Sequence, residues 1–298
     1  MAAFLSRAVR ELTKNQNRIV STQARLSAIR HSSSTRSLLE IERRSGDDSG
    51  IAIVRMNRPP VNSLSLEFLT EFNISLEKLE NDSSCRGLIL TSTLPVVFSS
   101  GVDINEMYPA KKDRLCEFWK LFFDLCHRLY GSRLVTIAAI NGHAIAGGCA
   151  LTQLCDYRIM TSSQETKLKL NATELGLPPP APIVQIIMNN VGQRKCEKIW
   201  QTAQLFNPQS ALKVGLVDEL RKDNVMLGAL QEIKTWLKIP DAARILTKQA
   251  IRQATQNLMN PAVIEDEINR TVAFILEENT QDKMKSYFES MKRKQTDV

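Results

Sequence analysis

The sequence predicts an α/β fold, in which buried strands alternate with helices along one chain. Short runs rich in β-branched and apolar residues, such as Ile51–Met56 and Val135–Ile140, are typical of strands buried in a sheet. Between two such runs, apolar side chains recur near helical spacing across residues 65–81, with acidic residues on the opposite face. Strands and helices that alternate in this way favour an α/β architecture.

The first half of the chain repeats a unit of strand, loop and helix. Ile51–Met56 is predicted as the opening strand, and the helix at residues 65–81 follows it. Strands are predicted at residues 87–91 and 135–140, and each runs into a loop that contains glycine. A further strand is predicted at residues 157–160.

From about residue 183 onward the sequence predicts mainly helices. Asn207 and Pro208 are predicted to start a helix that ends near Gly215. Pro240 starts another helix, because proline is well tolerated at a helix N-terminus. Residues 262–294 are predicted to be helical and carry many charges.

Residues 1–37 differ from the rest of the chain in composition. They hold seven basic residues and a single acidic one, Glu11, together with three consecutive serines at 32–34. A basic, serine-rich, acid-poor and amphipathic segment is typical of a mitochondrial transit peptide, which predicts import into the mitochondrial matrix. The alternative is a disordered basic tail that binds nucleic acid or a membrane and stays in the mature protein.

The composition of the residues after 37 argues against a nucleic-acid-binding, membrane-spanning or metal-binding protein. The whole chain has a formal net charge of +7, and most of it lies in residues 1–37, so the body is nearly neutral and no nucleic-acid partner is expected. No stretch approaches the roughly twenty apolar residues of a membrane span. The six cysteines show no metal-ligand spacing, so no metal site is predicted. Cys149 and Cys155 lie in apolar surroundings, which is typical of core residues.

Two glycine-containing loops carry the chemical signal. The first, residues 98–107, reads Phe-Ser-Ser-Gly-Val-Asp-Ile-Asn-Glu-Met, and the second, residues 141–149, reads Asn-Gly-His-Ala-Ile-Ala-Gly-Gly-Cys. Because glycine has no Cβ, it lets the backbone approach a ligand closely. Two backbone amides aimed at one point can hold a developing oxyanion. A Gly-Gly pair after a strand is also consistent with a plain turn into a helix.

Together with their flanking segments, the loops resemble the crotonase superfamily of enoyl-CoA hydratases and isomerases. Supporting stretches in the same order are residues 59–70, 75–82 and 155–159, and the resemblance covers residues 48–295. The resemblance implies an acyl-CoA thioester as substrate, and no cofactor, since CoA is part of the substrate.

The resemblance also implies a domain organisation. A crotonase-type ββα spiral core that binds acyl-CoA would occupy residues 48–240. A C-terminal helical region, residues 241–298, would join subunits into a homotrimer or a hexamer.

By the same resemblance, the backbone amides of Ser100 and Gly147 would donate to the thioester carbonyl. The first loop would contact the substrate through Ser100, Gly101, Val102, Asp103 and Ile104. Asp103 is expected to cap a helix that begins at Ile104 rather than to act in catalysis. Residues 58–64 resemble the CoA-binding turn of the family.

The chain departs from the family at the residues that carry protons. The family isomerases place a glutamate directly after the asparagine of a Leu-Asn-x-x-x-Leu-Gly stretch, and this position holds Ala172. The hydratases need a further glutamate directly after Gly-Gly-Cys, and this position holds Ala150, which excludes the two-carboxylate hydratase mechanism.

Glu174 is the candidate replacement base. If the chain is extended at this point, Glu174 points to the same side as Ala172 and reaches the site. If the chain is already helical, two residues rotate the side chain by about 200° away from the site. In that case Glu174 is a solvated or capping residue.

Three function hypotheses follow. The first is an enzyme that shifts the double bond of a 3-enoyl-CoA to the 2-trans position in fatty acid β-oxidation. The second is a catalytically weakened or inactive paralogue that binds CoA thioesters, and the third is a partner subunit of an active paralogue. The intact loops favour the first two, whereas Ala172 and Ala150 favour the last two.

Overall fold

The computed structural model describes residues 37–296 of the 298-residue chain, with the side chains of residues 291–296 left out. The transit peptide predicted at residues 1–37 therefore lies outside the described residues apart from Ser37. The strands are β1 (Leu39–Arg43), β2 (Ile51–Met56), β3 (Ser63–Leu64), β4 (Gly87–Ser92), β5 (Val97–Ser99), β6 (Gly101–Val102), β7 (Val135–Ile140), β8 (His143–Ile145), β9 (Tyr157–Thr161), β10 (Leu168–Lys169), β11 (Leu205–Phe206) and β12 (Glu219–Arg221).

In the part of the chain that the structure describes, the first α-helix follows β3, and helices predominate in the C-terminal third. They are α1 (Leu66–Asn81), α2 (Ile104–Met107), α3 (Lys112–Gly131), α4 (Gly147–Leu154), α5 (Ala181–Val191), α6 (Gln193–Thr202), α7 (Pro208–Val214), α8 (Val225–Leu237), α9 (Asp241–Asn257), α10 (Pro261–Leu276) and α11 (Glu278–Thr296). These elements confirm the predicted α/β class and the predicted starts of α1, α7 and α9. The charged segment predicted to be helical at residues 262–294 forms two helices, α10 and α11, which are separated by Glu277.

The main sheet has six strands in the order β1-β2-β4-β7-β9-β12. β1 runs antiparallel to β2, and the other neighbours are parallel. β4 and β7 are buried along their full lengths. Helix α8 packs on one face through Val225, Ala229 and Ile233, and α1 and α3 contribute to the core on the other. Because both faces are covered, these strands are continuous apolar runs rather than alternating ones.

A second group of short strands positions the two glycine loops. Four of them form a sheet in the order β11-β10-β8-β5, and β3 pairs with β6. β5 and β8 are parallel, with Ser99 opposite Ala144. Because parallel strands end at the same edge of a sheet, the loops that follow β5 and β8 are brought together there. These strands are two to three residues long and were not predicted from the sequence.

Helix α9 buries several polar side chains and exposes several apolar ones. The Lys248 ammonium donates to the carbonyls of Ser132 and Leu134 at 2.9 and 2.8 Å and pairs with Asp156 at 2.7 Å. Burial holds the pKa of Lys248 below its ordinary value, against the opposing effect of Asp156. On the outer surface, Leu246 is 64% exposed and Ile251 is 76% exposed. Large apolar side chains exposed together on one helix are typical of a surface that contacts another protein.

The cysteines are reduced, and most of them are buried. All six cysteines are free, and Cys149 and Cys155 are fully buried, which confirms their prediction as core residues. Burial raises the pKa of both thiols to about 12. Within residues 37–296, no helix has the length and apolar character needed to span a bilayer.

Candidate functional site

A cavity of about 570 Å³ lies where the two glycine loops meet. One end is lined by the exposed residues Pro59, Pro60 and Val61, so this end is the mouth. The other end is lined by buried apolar side chains, among them Trp119, Phe122, Ile183 and Trp200. Most of the lining is apolar, which is typical of a site that binds a small molecule with a hydrocarbon part.

Gly101 brings the two loops into contact. Its φ is +88°, a conformation that residues with a Cβ rarely adopt. A Cβ at this position would lie 2.6 Å from the Gly147 nitrogen and 2.7 Å from the Ile145 oxygen, both backbone atoms. The close approach therefore requires glycine, as the sequence analysis predicted for these loops in general.

The Gly147 amide faces the contact point from the second loop. Gly147 is the first residue of α4, and the amides in the first turn of a helix have no partner within the helix. The neighbouring amides are engaged, since Ala146 donates to the Lys169 carbonyl at 2.7 Å and Ala150 donates to the Ala146 carbonyl at 3.0 Å. The helix N-terminus adds a partial positive charge that favours an anionic oxygen.

The structure corrects the predicted donor in the first loop. The Ser100 amide donates to the Val61 carbonyl at 2.9 Å, so it cannot serve an oxyanion at the same time. At the other end of β6, the Asp103 amide donates to the Leu64 carbonyl at 3.0 Å. The Val102 nitrogen lies on the opposite edge, where a Cβ added to Gly147 would be only 3.3 Å from it. The amides that meet at the cavity are therefore those of Val102 and Gly147, while Ser100 stays in the lining.

Asp103 lies in the cavity wall with both carboxylate oxygens engaged. Oδ1 accepts hydrogen bonds from the amide and the side chain of Asn105 at 3.0 and 2.8 Å. Oδ2 accepts from the Ser63 hydroxyl at 2.9 Å and pairs with Arg58 at 2.8 Å. Burial acts to raise the pKa of Asp103, but these hydrogen bonds and Arg58 outweigh it and hold the pKa below its ordinary value. Asp103 also caps α2, which begins at Ile104 as predicted.

Glu174 does not reach the cavity. Ala172 lines it, and its backbone is already in the right-handed helical conformation that leads into the 3-10 turn Thr173–Leu175. In a 3-10 helix two residues rotate a side chain by about 240°. The Glu174 carboxylate is 53% exposed and pairs with Lys169 at 2.6 Å. The helical alternative of the sequence analysis therefore holds, and the geometry does not support Glu174 as the base.

Among the described residues that line the cavity, Asp103 is the one carboxylate, and alanines occupy both family positions for glutamate. Ala150 and Ala172 both belong to the lining. Within residues 37–296, no three side chains of His, Cys, Asp or Glu lie together in a way that could hold a metal ion. The site can thus stabilise negative charge on an oxygen, but it offers no free carboxylate for proton transfer.

The aromatic residues at the closed end of the cavity were not predicted from the sequence to belong to the site. Trp119 and Phe122 reach the cavity from α3, where they pack edge to face at 5.4 Å between ring centroids. Tyr287 and Phe288 of α11 add to the wall, and Phe288 lies 6.2 Å from the Tyr108 ring. The cluster of aromatic residues at 118–123 is the signal that could have indicated an apolar site.

Comparison with known proteins agrees with this geometry. The family model of enoyl-CoA hydratase/isomerase matches residues 46–297. The Mus musculus protein named enoyl-CoA delta isomerase 1, mitochondrial, is 44% identical over 248 residues, which are 83% of this chain and 85% of that protein. The Homo sapiens protein of the same name is 43% identical over 245 residues, which are 82% of this chain and 81% of that protein.

A solved structure shows the same fold. The crystal structure of human mitochondrial Δ3-Δ2-enoyl-CoA isomerase is 40% identical in sequence and superposes with a TM-score of 0.83. The match covers 87% of this chain and 99% of that one. These similarities confirm the crotonase-type α/β fold predicted from the sequence.

Proposed function

Because the chain belongs to the enoyl-CoA hydratase/isomerase family, we propose that it moves the double bond of a 3-enoyl-CoA to the 2-trans position in fatty acid β-oxidation. The observation that carries this proposal is the meeting of the Val102 and Gly147 amides at the wall of an apolar cavity. Two such donors suit the oxygen of a thioester, which becomes negative when a neighbouring carbon loses a proton.

The mechanism divides into charge stabilisation and proton transfer. Because the lining has no free carboxylate, water takes the proton from C2, and the electron pair left behind delocalises onto the thioester oxygen, where the amides of Val102 and Gly147 stabilise it. Return of a proton to C4 completes the shift of the double bond. The family position for the proton carrier is Ala172 in this chain, so the second part of the mechanism is weakened. A positioned acid or base usually contributes about a hundredfold to ten-thousandfold in rate.

The cavity sets the direction in which the substrate lies. We expect the CoA portion to lie at the exposed mouth, which Arg58 and Pro60 line. The acyl chain extends past the two amides toward Trp119 and Trp200, which close the buried end. No cofactor is needed, because CoA activates the acyl group as a thioester. The basic segment 1–37 and the mitochondrial relatives support a location in the mitochondrial matrix.

An assay of the purified protein tests the proposed function. With a medium-chain 3-enoyl-CoA as substrate, we expect slow formation of the conjugated 2-trans product, followed by its absorbance. With the 2-trans-enoyl-CoA as substrate, no hydration is expected, because Ala150 replaces the hydratase glutamate. Hydration would contradict the proposal. Binding of both thioesters without any turnover would instead support the inactive paralogue.

We also propose that the chain assembles as a homotrimer or hexamer through the outer face of α9. Leu246, Ala250 and Ala254 follow one another there at four-residue spacing, with Ile251 beside them, and all four are exposed. Burying this face against a second copy would remove apolar surface from water.

Changing Leu246 and Ile251 to glutamate should dissociate the oligomer, because each glutamate would place a charge in the contact. Sedimentation velocity should show a fall to the monomer mass while the circular dichroism spectrum stays unchanged, because the buried polar face of α9 is untouched. Gln231→Glu puts the same charge at an exposed position of another helix, α8, and should leave the oligomer intact. A monomeric wild type would contradict the proposal.

A further inference from the structure

Asp103 is the one carboxylate in the cavity lining of the described residues, yet its acceptor positions are filled by protein donors. A carboxylate has room for about four donors, and four already surround this one, from Asn105, Ser63 and Arg58. Its side chain is only 8% exposed. A base must have a free lone pair aimed at the substrate, so this arrangement suits a structural task better than proton transfer.

We propose that Asp103 is a positioning residue, which acts through Ser63 and Arg58 to aim the Val102 amide at the thioester oxygen. The inference rests on the proposed function, because it concerns the same oxyanion. It assigns to Asp103 a role in orienting the donor that directly precedes it in the chain, and it denies Asp103 the role of the missing base.

The direction of the Val102 amide depends on how β6 is held. Successive amides of a strand point to opposite edges. Leu64 of β3 accepts from the Asp103 amide at 3.0 Å, so the Val102 amide turns to the other edge, toward Gly147. The Asp103 side chain adds two bonds to the same turn, to Ser63 and Arg58. Together these contacts hold the end of β6 at Asp103, through both the backbone and the side chain of that residue.

The turn that holds Asp103 is itself held rigidly. The Asn62 side chain donates to the Phe98 carbonyl at 3.0 Å and to the Ser92 hydroxyl at 2.7 Å, and its oxygen accepts from the Arg58 amide at 2.7 Å. The Ser99 hydroxyl donates to the Asn62 carbonyl at 2.7 Å. The first glycine loop is therefore hydrogen-bonded to residues 58–64 on both sides of Val102. A change in the side chains of this turn should consequently change the direction of the Val102 amide.

Arg58 has a second effect, which is electrostatic. An ionised carboxylate close to a developing oxyanion would repel it, and the repulsion would be strong in an apolar cavity. The Arg58 guanidinium pairs with Asp103 at 2.8 Å and cancels most of that field. Arg58 also donates to the Ser63 hydroxyl and carbonyl, so it holds the turn and neutralises the carboxylate together.

The test measures the carbonyl of a bound 2-trans-enoyl-CoA by infrared difference spectroscopy, with carbon-13 at C1 as the label. Hydrogen bonds from the two amides should lower the stretching frequency in the wild type. In Asp103→Asn the downshift should be mostly lost while the dissociation constant of the enoyl-CoA changes little. The kcat for 3-enoyl-CoA isomerisation should fall by about tenfold to a hundredfold, because a small misplacement of a donor has effects of this size.

Arg58→Gln is the second variant, in case Asp103→Asn does not fold, and it should lose the downshift in the same way. Arg114→Gln is the matched control. Arg114 pairs at 2.7 Å with the buried Glu106, which lies near the end of the first loop, and neither residue lines the cavity. This control should keep the downshift and the kcat.

The possible results distinguish a positioning role of Asp103 from a catalytic one and from a general loss of stability. If Asp103→Asn keeps the full downshift, Asp103 does not position the amide and the inference is overturned, whatever happens to kcat. A kcat that falls beyond detection with the downshift intact would make Asp103 the base instead. Loss of the downshift in Arg114→Gln would show that any local destabilisation suffices, which also overturns the inference. A wild type without a downshift would overturn the proposed function together with the inference.

Discussion

Replacing Ala172 with glutamate should raise the rate of 3-enoyl-CoA isomerisation by about a hundredfold to ten-thousandfold, which is the usual contribution of a positioned acid or base. Ala172 lines the cavity that also contains Gly147, so a carboxylate there would project toward the substrate. The gain should appear in kcat, since the proton carrier acts on the bound substrate. Steady-state kinetics on the wild type and Ala172→Glu measure it.

Glu174→Gln is the matched variant for this prediction. Its carboxylate is exposed and paired with Lys169, so its loss should leave the rate nearly unchanged. Loss of all activity in Glu174→Gln would show that this segment rearranges to bring Glu174 into the cavity. If the wild type already works at the rate of Ala172→Glu, another residue transfers the proton, and the weakened mechanism fails.

Gly101→Ala should reduce isomerase activity by about a hundredfold to a thousandfold, the usual effect of losing one oxyanion donor. The added Cβ would meet the Gly147 nitrogen at 2.6 Å. Because that atom belongs to the backbone, the two loops must move apart, and the amides of Val102 and Gly147 can no longer hold one oxygen. The measurement is kcat/KM for the same 3-enoyl-CoA.

Gly192→Ala separates the loss of the site from backbone strain. Gly192 also has a positive φ, +82°, but a Cβ there would meet nothing within 4 Å. Both substitutions should lower the melting temperature, because a backbone conformation with positive φ costs a residue with a Cβ about 1–3 kcal/mol. Gly192→Ala alone should keep its activity. Equal activities of the two variants would mean that the close approach at Gly101 is not needed.

Several features could be predicted from the sequence because their causes are local. The strand before each glycine loop is a continuous apolar run, and α1 shows helical spacing of its buried side chains. Its N-cap is Ser65, whose hydroxyl accepts from the Phe68 amide at 3.3 Å. The need for glycine in the first loop also follows from local chemistry, and Gly101 meets it.

Other features depend on which strands pair and could not be predicted. Two hydrogen bonds decide between the amides of Ser100 and Val102 as the oxyanion donor. The Val61 carbonyl accepts from the Ser100 amide and the Leu64 carbonyl accepts from the Asp103 amide, which leaves the Val102 amide facing the cavity. Neither contact has a signature in the residues themselves. The same holds for α9, whose inner face is polar because it meets the carbonyls of residues 132–134, which connect α3 to β7. For Glu174, the 3-10 turn decided between the two orientations left open by the sequence.

The proposed oxyanion site holds one thioester oxygen between the Val102 and Gly147 amides. The most direct measurement is the infrared frequency of the labelled carbonyl of a 2-trans-enoyl-CoA bound to the wild type and to Gly101→Ala. We expect a frequency below that of the free thioester in the wild type and a shift back toward the free value in Gly101→Ala. An unshifted carbonyl in the wild type, or the same downshift in both proteins, would contradict it.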